Sequence, residues 1–502
     1  MKNGVNSQIK LGAIISYVAI AISIISALLY TPWMKDQIGD ANYGLYTLIT
    51  SLISIFLMDF GLGTSVTRFV AKYRAEKKEN LVADVLGCVG KLYLAIDVVI
   101  FIVLTFVYFN LENIYVGLSA NEVEMLKTVF LIFGTYSVLA FPFTPLSGIL
   151  NAYELFVEMK LCDLFQKLLA IALIVIVLLT GYGLPQLVAM NALAGIISVI
   201  AKLWFVKTKV KVKPNFTVHN PALLKSLLNF SVWVTVMAIS QRMIFNIAPS
   251  ILGITSNSFE IARFAPASQM EGYFFTFAYA INGLFLPLLS RYDSQSDDTA
   301  ILNLAEKVGR YQMCFLGLLY TGLATVGTQF MGLWMGETYK ISGICTILMV
   351  TPSLFQYPQQ IFNTMLSVRN LIKYQAIAAV VMGVINVVLS ILLTPKMGAL
   401  GSSISIMISY MINLILLNII YMRKMNLDLR RFYAQVFIRY TPIILASIIV
   451  SKLLLSSITF KGWSGFFIAT VITGSVYLCI LVVFGFSQLE RQKVLDKIRK
   501  KK

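Results

Sequence analysis

The chain has 502 residues, of which 58% are hydrophobic and only 13% are charged, and its mean hydropathy is +0.80. Soluble domains have roughly 45–50% apolar and 25% charged residues, so this composition excludes a water-soluble globular protein. The formal net charge of +18 would suit a nucleic-acid-binding protein, but the positions of the cations indicate another explanation.

Apolar stretches of about 20 residues recur along the chain and predict transmembrane helices. Each stretch is continuously apolar, whereas the strand of a membrane barrel would alternate and be about half as long. The first stretch has no small-residue cleavage site, so we expect a retained helix. The prediction is an all-α polytopic membrane protein of about fourteen helices, near residues 9–32, 43–66, 85–108, 125–148, 161–180, 184–205, 230–253, 262–288, 311–333, 341–364, 374–394, 399–421, 436–457 and 462–485.

Most of the 41 lysines and arginines lie in alternate loops, counted from the amino terminus. Dense groups occur from Arg68 to Lys78, in the connection after the sixth predicted helix, and from Arg491 to Lys502. The positive-inside rule assigns such loops to the cytoplasm. We therefore expect both ends of the chain to be cytoplasmic, and the net charge requires no nucleic-acid partner.

A polar connection after the sixth predicted helix divides the chain, and it contains the single histidine, His219. Each half begins with a helix, a short external connection, a second helix and a charged loop. This order predicts two parallel six-helix bundles around a central cavity. The expected divisions are a first bundle at 1–206, a basic cytoplasmic linker at 207–229, a second bundle at 230–424, two additional transmembrane helices at 425–487 and a basic cytoplasmic tail at 488–502.

Several kinds of chemistry lack the residues that they require. The GCVGK stretch at 87–91 is not a phosphate-binding P-loop, which needs GxxxxGK followed by Ser or Thr. The five cysteines form no CxxC pair, and with one histidine the sequence offers no obvious metal site or catalytic triad. The external connections are too short to hold a domain. We expect neither an enzyme nor a cofactor.

Polar residues inside the predicted spans are the best candidates for function, because a charge at mid-bilayer costs on the order of 3 kcal/mol. Arg242 lies near the centre of the seventh span, and Asn246 follows on the same helical face. An arginine binds phosphate oxygens bidentately and does not deprotonate. We expect Arg242 and Asn246 to bind an anionic substrate; the alternative is an arginine paired with Glu271 or a carbonyl group.

The eighth predicted span carries Arg263 at its external start and Glu271 two turns further in. Arg263 is a second candidate for substrate binding. A carboxyl group at the depth of Glu271 is a candidate for carrying a coupling H+ or Na+. A static salt bridge is the alternative for Glu271.

The first half contributes two further acids and two cations. Asp59 lies toward the cytoplasmic end of the second span, and Asp97 lies deeper in the third; both are candidates for ion coupling, with pairing to a cation as the alternative for Asp59. Lys91 and Arg68 are candidates for contacting an anionic substrate. Lys91 is close enough to the cytoplasmic end of its helix to snorkel instead, and Arg68 also orients its loop.

The tenth predicted span carries Gln356, Gln360 and Asn363 on one face beside Tyr357. Amides and an aromatic ring suit sugar hydroxyls and pyranose faces, which makes the three amides candidates for substrate binding. Membrane amides also join helices together, and packing between helices is the preferred alternative.

Several stretches resemble one family of bacterial membrane proteins, and the resemblance extends over nearly the whole chain. They are DQIGDANYGLYTLITSLISIFLMDFGLGTSVTRFVAKYRAE, QRMIFNIAPSILGITSNSFEIARF, FLPLLSRYDS, MGETYK and TPKMGALGSSISIMISYMINLILL. This pattern is similar to that of the oligosaccharide-lipid flippases, the polysaccharide transporter family of the multidrug/oligosaccharidyl-lipid/polysaccharide exporter superfamily. Many members have an aspartate where this chain has Gln241, which leaves open any role of an acid at that position.

The resemblance implies a flippase that carries undecaprenyl-diphosphate-linked sugar units across the bacterial cytoplasmic membrane for surface-polysaccharide synthesis. The expected partners are this lipid-linked oligosaccharide, membrane lipids and H+ or Na+. Physical chemistry favours the same function, because a diphosphate and a hydrated glycan cannot cross hydrocarbon unaided. Alternating access of the two bundles would move the head group while the lipid tail stays in the bilayer.

Two rival functions remain open at the level of sequence. A drug or cation antiporter of the same superfamily would favour acids over arginines in its cavity, so Arg242 and Arg263 disfavour it. A membrane polysaccharide polymerase or glycosyltransferase would usually need a sizeable external loop with catalytic groups, and the sequence has none.

Overall fold

The computed structural model describes residues 2–210, 212–218, 220–279, 285–425, 427–456 and 461–485. Helices account for nearly all of these residues, and the described part of the chain contains no strand. The predicted all-α membrane fold is therefore confirmed. The predicted tail at 488–502 and His219 lie outside the described residues.

The chain divides into two compact units, Met1–Ala262 and Arg263–Lys502. The predicted division into a six-helix bundle, a linker and a second bundle stays a prediction. The helices up to the boundary are α1 (Lys2–Ile38), α2 (Asp40–Phe56), α3 (Leu62–Ala75), α4 (Glu79–Ile114), α5 (Ala120–Ala140), α6 (Leu146–Ala152), α7 (Phe156–Leu179), α8 (Leu184–Lys209), α9 (Pro221–Phe245), α10 (Ala248–Thr255) and α11 (Ser258–Tyr279), which contains the boundary.

In its described residues, the second unit contains the rest of α11 and nine further helices. Short 3₁₀ or π-helical segments follow several of them. The helices are α12 (Leu286–Ser294), α13 (Asp298–Met335), α14 (Lys340–Gln356), α15 (Gln360–Val368), α16 (Ile372–Met397), α17 (Ala399–Met425), α18 (Leu429–Tyr433), α19 (Arg439–Ser456) and α20 (Gly462–Ile480).

Among the described residues, eleven helices are long and apolar enough to cross a membrane, or twelve if a bent pair in α9 is one span. The predicted count of fourteen is not confirmed. One reason is that the predicted span 43–66 is interrupted between α2 and α3. Another is that Arg263, Gln269 and Glu271 make α11 more polar than the other helices of its length.

In the first unit, α7 and α8 pack along each other, and α1 packs against α7. The inner face of α2 is fully buried at Leu45, Leu48 and Ile49, whereas Phe106 and Phe109 of α4 are exposed. Exposed aromatic and aliphatic side chains on a spanning helix contact lipid, so the core and the outer surface are both apolar, unlike in a soluble protein. The packing positions α9 next to α3 and α10 next to α2.

In the second unit, α13 is the central helix and packs against α14, α19 and α20. The core of this unit contains many aromatic side chains. For example, the Phe362 and Phe432 rings lie 5.0 Å apart in an edge-to-face arrangement. Tyr477 is buried, and its hydroxyl donates to the Cys314 carbonyl at 2.8 Å. Buried phenols need such acceptors because no water is available in the bilayer core.

The connection between α8 and α9 lies along the first turns of α4. Asn215 donates its backbone N–H to the Ala83 carbonyl and its side-chain amide to Asp84. A Cβ atom on Gly87 would lie 1.8 Å from the Asn215 carbonyl oxygen. The glycines of the GCVGK stretch therefore leave room for this connection, which is a structural role.

Candidate functional site

The second predicted span is broken at residues 57–61, between α2 and α3. Phe60 and Gly61 both have positive φ, 49° and 66°, a conformation that glycine adopts readily and phenylalanine rarely. The Asp59 carboxylate accepts the Gly61 N–H at 2.9 Å. Asp59 thus has a local structural role, because it satisfies a donor that the broken helix leaves without a carbonyl.

Side chains from two neighbouring helices bind the carbonyl groups exposed by this break. Tyr93 of α4 donates its hydroxyl to the Asp59 carbonyl at 3.1 Å. Thr235 of α9 donates its hydroxyl to the Phe60 carbonyl. Non-helical backbone at membrane depth requires such partners, so α4 and α9 stabilise the break.

Helix α9 runs antiparallel to α2 and α3, and polar contacts fix its register. At one level, the hydroxyls of Ser65 and Ser231 are hydrogen-bonded. At the other, the Asn246 amide donates to the Ser54 hydroxyl. The contact between Thr235 and Phe60 lies between these levels. A polar seam therefore joins α9 to the broken second span.

Arg242 lies on this seam, one turn before the end of α9, and is half-buried. Its Nη1 donates to the Asn246 Oδ1 at 3.2 Å, which is the one hydrogen bond that the guanidinium group makes with the described residues. A guanidinium carries five N–H donors in a planar fork. Most of these donors are therefore available to an anionic ligand.

The charge on Arg242 is balanced in part by Asp59, whose negative charge acts on the guanidinium. The two side chains are not within ion-pair distance among the described contacts. An acid at this distance lowers the free-energy cost of holding the Arg242 guanidinium in the membrane, and it leaves the N–H donors of the guanidinium unoccupied. This arrangement suits reversible binding of an anion better than a closed salt bridge would.

Helix α9 is also discontinuous at this point. Asn246 and Ile247 separate it from α10, and both backbone N–H groups bond to the Arg242 carbonyl. Pro249 follows in the first turn of α10. Two interrupted helices thus lie side by side, the geometry with which many transporters build binding sites inside the membrane.

The second unit contains an acidic counterpart. Glu271 of α11 is only 5% exposed and acts electrostatically on Tyr357 and Tyr410. Within the described residues of this unit it forms no ion pair, so the predicted static bridge has no cation there. Tyr357 begins the 3₁₀ segment between α14 and α15, and Tyr410 belongs to α17. A carboxyl group among phenols can hold a proton or a small cation.

The three predicted amides have different surroundings. Asn363 accepts the Tyr421 hydroxyl at 2.8 Å and donates to Gln360 Oε1 at 3.2 Å. Both polar atoms of Asn363 are thus used in packing, as the alternative interpretation expects. Gln356 differs, because its Oε1 is buried and has no hydrogen-bond partner among the described residues.

The remaining predicted site residues make no described contact with Arg242 or Glu271. Arg263 donates its Nε to the Thr338 carbonyl at 3.2 Å, and Arg68 is exposed on α3. Lys91 donates to the Val218 carbonyl at 2.9 Å, so its ammonium lies at the connection between α8 and α9. Asp97 of α4 has a buried Oδ1 without a hydrogen-bond partner in the described structure.

Sequence reasoning missed three participants: Ser54, Thr235 and Tyr410. Each lies in a largely apolar run that carries other hydroxyl residues, such as Ser51 beside Ser54 and Ser409 beside Tyr410, and hydroxyls in helices commonly bond to their own helix backbone. The hydrogen bonds of Ser54 and Thr235 join residues far apart in the chain, which no local pattern indicates. Among the described residues, no group of three or more His, Cys, Asp or Glu side chains is placed to hold a metal ion.

A family model described as "Polysaccharide biosynthesis protein" matches residues 9–293, more than half of the chain. The chain belongs to this family. The matched residues include α2, α3 and α9, and therefore Arg242, Asn246 and Asp59. The family membership and the helical fold confirm the resemblance found in the sequence.

This polysaccharide biosynthesis family member is also similar to individual proteins. It is 21% identical to the "Uncharacterized membrane protein EpsK" of Bacillus subtilis (strain 168), over 96% of this chain and 97% of that protein. Its fold matches the lipid II flippase MurJ in an inward closed conformation, with a TM-score of 0.72, 15% identity, and coverage of 94% of this chain and 98% of that one.

A second fold match is a multidrug resistance MATE family transporter in an inward-facing conformation. Its TM-score is 0.69 at 14% identity, and the match covers 84% of this chain and 98% of the transporter. At such identities the likeness concerns the fold. The polysaccharide biosynthesis family member is therefore a multi-pass membrane protein with the fold of flippases and exporters.

Proposed function

We propose that the protein is a flippase that moves undecaprenyl-diphosphate-linked oligosaccharide units across the bacterial cytoplasmic membrane by alternating access. The observation that carries this proposal is Arg242, a guanidinium with most of its donors available, on a polar seam between two interrupted helices. A diphosphate provides the planar oxygen pairs that an arginine fork binds bidentately. Membership of a polysaccharide biosynthesis family supports the same class of substrate.

In this proposal the residues of the first unit have distinct tasks. Arg242 binds the diphosphate, Asn246 holds the guanidinium in position, and Asp59 keeps the site charge-balanced when it is empty. Secondary candidates for contacts to the head group are Lys91 and Arg68 of this unit, and Arg263, Gln356 and Gln360 of the second unit. Both ends of the chain are cytoplasmic, as the positive-inside rule predicts.

The driving force is the second part of the proposal. The sequence has no nucleotide-binding loop, so we infer coupling to a gradient of H+ or Na+. Glu271 is the first candidate for the coupling group because it is buried and its charge acts on Tyr357 and Tyr410. Asp97 and Asp59 are the other candidates.

Complementation tests the proposal. In a host that lacks this protein, Arg242→Ala should abolish surface polysaccharide and leave lipid-linked glycan in the inner leaflet. Arg242→Lys should retain part of the activity, because it keeps the charge without the planar fork. Gln241→Ala is the matched control on the same helix. Normal polymer from Arg242→Ala, at equal protein levels, would exclude the proposed role.

A drug or cation antiporter is the second candidate function. The observation in its favour is Glu271, because a buried carboxylate among aromatic rings also suits an organic cation. The MATE-like fold is compatible with this function. Cells that express the protein should then resist cationic drugs in a Glu271-dependent manner. The flippase proposal predicts unchanged drug susceptibility.

A further inference from the structure

A polar cavity lies in the first unit between α1 and α7, and none of the residues of the Arg242 seam line it. Its volume is about 350 Å³, and its lining includes Lys160, Asp163, Gln166 and Lys167 of α7 and Ala19 and Ile20 of α1. Lys160 and Lys167 are seven residues apart, so they lie on the same helical face. The cavity thus combines an apolar floor with two ammonium groups.

The depth of this cavity follows from the helices that form it. Helix α7 begins at Phe156, so Lys160 lies in its second turn, near the membrane edge, and Lys167 lies about two turns further in. Glu158 at the start of α7 pairs with Lys209 at the end of α8, so the cavity is on the same side as the basic connection that follows α8. The end of the cavity at Lys160 is therefore close to the level of the lipid head groups.

The charges around the cavity leave a positive excess. Asp163 pairs with Lys202 of α8 at 2.8 Å. Lys167 donates to the Ser23 hydroxyl at 3.1 Å, a neutral acceptor. Lys160 is half-buried and makes no ion pair or hydrogen bond with the described residues. Since one carboxylate faces three lysines, the described residues leave two of these positive charges uncompensated.

We propose that this cavity binds the phosphate of an anionic membrane phospholipid, with Lys160 and Lys167 as donors and Gln166 as a neutral partner. Basic pockets between transmembrane helices at head-group level bind anionic lipids by this chemistry. Ala19, Ile20 and Leu164 provide the apolar wall along which the glycerol backbone and acyl chains enter the bilayer. The proposal does not depend on which substrate the protein transports.

The ligand is the lipid rather than free phosphate, because the apolar wall continues the site into the membrane. The full chain, purified in a neutral detergent, should bind one phosphatidylglycerol at this site in native mass spectrometry. Phosphatidylcholine with the same acyl chains should bind at least fivefold more weakly, because its head group carries no net charge. Glycerol phosphate should not displace the bound lipid.

Substitutions of Lys160 and Lys167 test whether these two lysines bind the lipid. Lys160→Gln with Lys167→Gln should weaken phosphatidylglycerol binding at least tenfold. The matched control, Lys72→Gln with Lys207→Gln, removes two exposed cations outside the cavity and should change the affinity less than twofold. Lys160→Arg with Lys167→Arg should retain binding. Thermal melting in detergent identifies any variant that fails to fold. If the double variant with Lys160→Gln and Lys167→Gln does not fold, the single variant Lys160→Gln is tested in its place.

Three outcomes would overturn the proposal. Equal losses in the cavity and control variants would indicate non-specific attraction to the basic face. Unchanged affinity in the folded cavity variant would remove the lysines from the site. Displacement of the lipid by glycerol phosphate at a similar concentration would assign the cavity to a soluble phosphate instead.

Discussion

The seam around Arg242 and the pocket around Glu271 hold opposite charges in contrasting surroundings. Arg242 is half-buried, has Asp59 as a distant counter-charge and uses one of its donors. Glu271 is almost fully buried, and its charge acts on two tyrosines, Tyr357 and Tyr410. The first arrangement keeps a permanent charge ready for an anion. The second suits a group whose charge changes when it binds a proton or a cation.

The two regions also differ in their backbone. Around Arg242, two helices are interrupted, and side chains from neighbouring helices bind the exposed carbonyls. Glu271 lies within a continuous helix, α11, and the interruption there belongs to its neighbour at Tyr357. We infer from this comparison that the two sites have separate tasks, substrate binding and energy coupling. The following predictions test that separation.

The largest effect is expected from Asp59→Asn combined with Arg242→Gln, which removes both charges and keeps hydrogen-bonding groups. If Arg242 binds the substrate, the double variant should transport on the order of a hundredfold more slowly, like Arg242→Gln alone. If the arginine only balances Asp59, the double variant should recover activity relative to either single change. Delivery of lipid-linked glycan to the outer leaflet measures the difference.

Glu271→Gln should have the next largest effect, because it removes a titratable group while keeping its size. We expect transport driven by an imposed ion gradient to fall on the order of tenfold, with little change in substrate affinity. Glu271→Asp, which keeps the carboxyl group, is the control. A loss of affinity with intact gradient dependence would show that the two tasks are not separate.

Asn363→Ala should reduce stability rather than substrate binding. It leaves the buried Tyr421 hydroxyl without its acceptor, at a cost of about 1–3 kcal/mol in the free energy of unfolding. Thr470→Ala on the exposed face of α20 should leave the melting temperature nearly unchanged. Weaker substrate binding with normal melting would return Asn363 to the list of substrate contacts.

The smallest effect is expected from Arg68→Gln, because Arg68 is exposed on α3. Its attraction for an anionic head group is worth about 1 kcal/mol at low salt and is screened at high salt. Initial transport rates should therefore fall up to fivefold at low ionic strength and be equal to the parent rate at high ionic strength. A loss that persists at high salt would place Arg68 in the binding site.

The sequence predicted those parts of this comparison that depend on local pattern. Continuous apolar stretches predicted the helical membrane fold, and the spacing of Arg242 and Asn246 put both on one face. Their side chains are indeed hydrogen-bonded. For Lys91 the structure shows a hydrogen bond from its ammonium to the Val218 carbonyl, and its contact with an anionic substrate stays a prediction.

Contacts between residues that are far apart in the chain could not be predicted from the sequence. Hydropathy treated residues 43–66 as one span, because Asp59 and Gly61 are too few to lower the average over a window. The break is stabilised by Tyr93 and Thr235, which lie far along the chain. The glycines at 87 and 90 likewise gave no local signal of the connection that packs on them. Tertiary contacts decide each of these features.

Binding of undecaprenyl diphosphate to the purified protein tests the central claim most directly. The account predicts that Arg242→Ala weakens binding at least tenfold, that Arg242→Lys gives an intermediate affinity, and that Gln241→Ala binds within twofold of the parent. Undecaprenol, which lacks the diphosphate, should bind the parent and Arg242→Ala equally. Undiminished binding of the diphosphate by a folded Arg242→Ala variant would contradict the account.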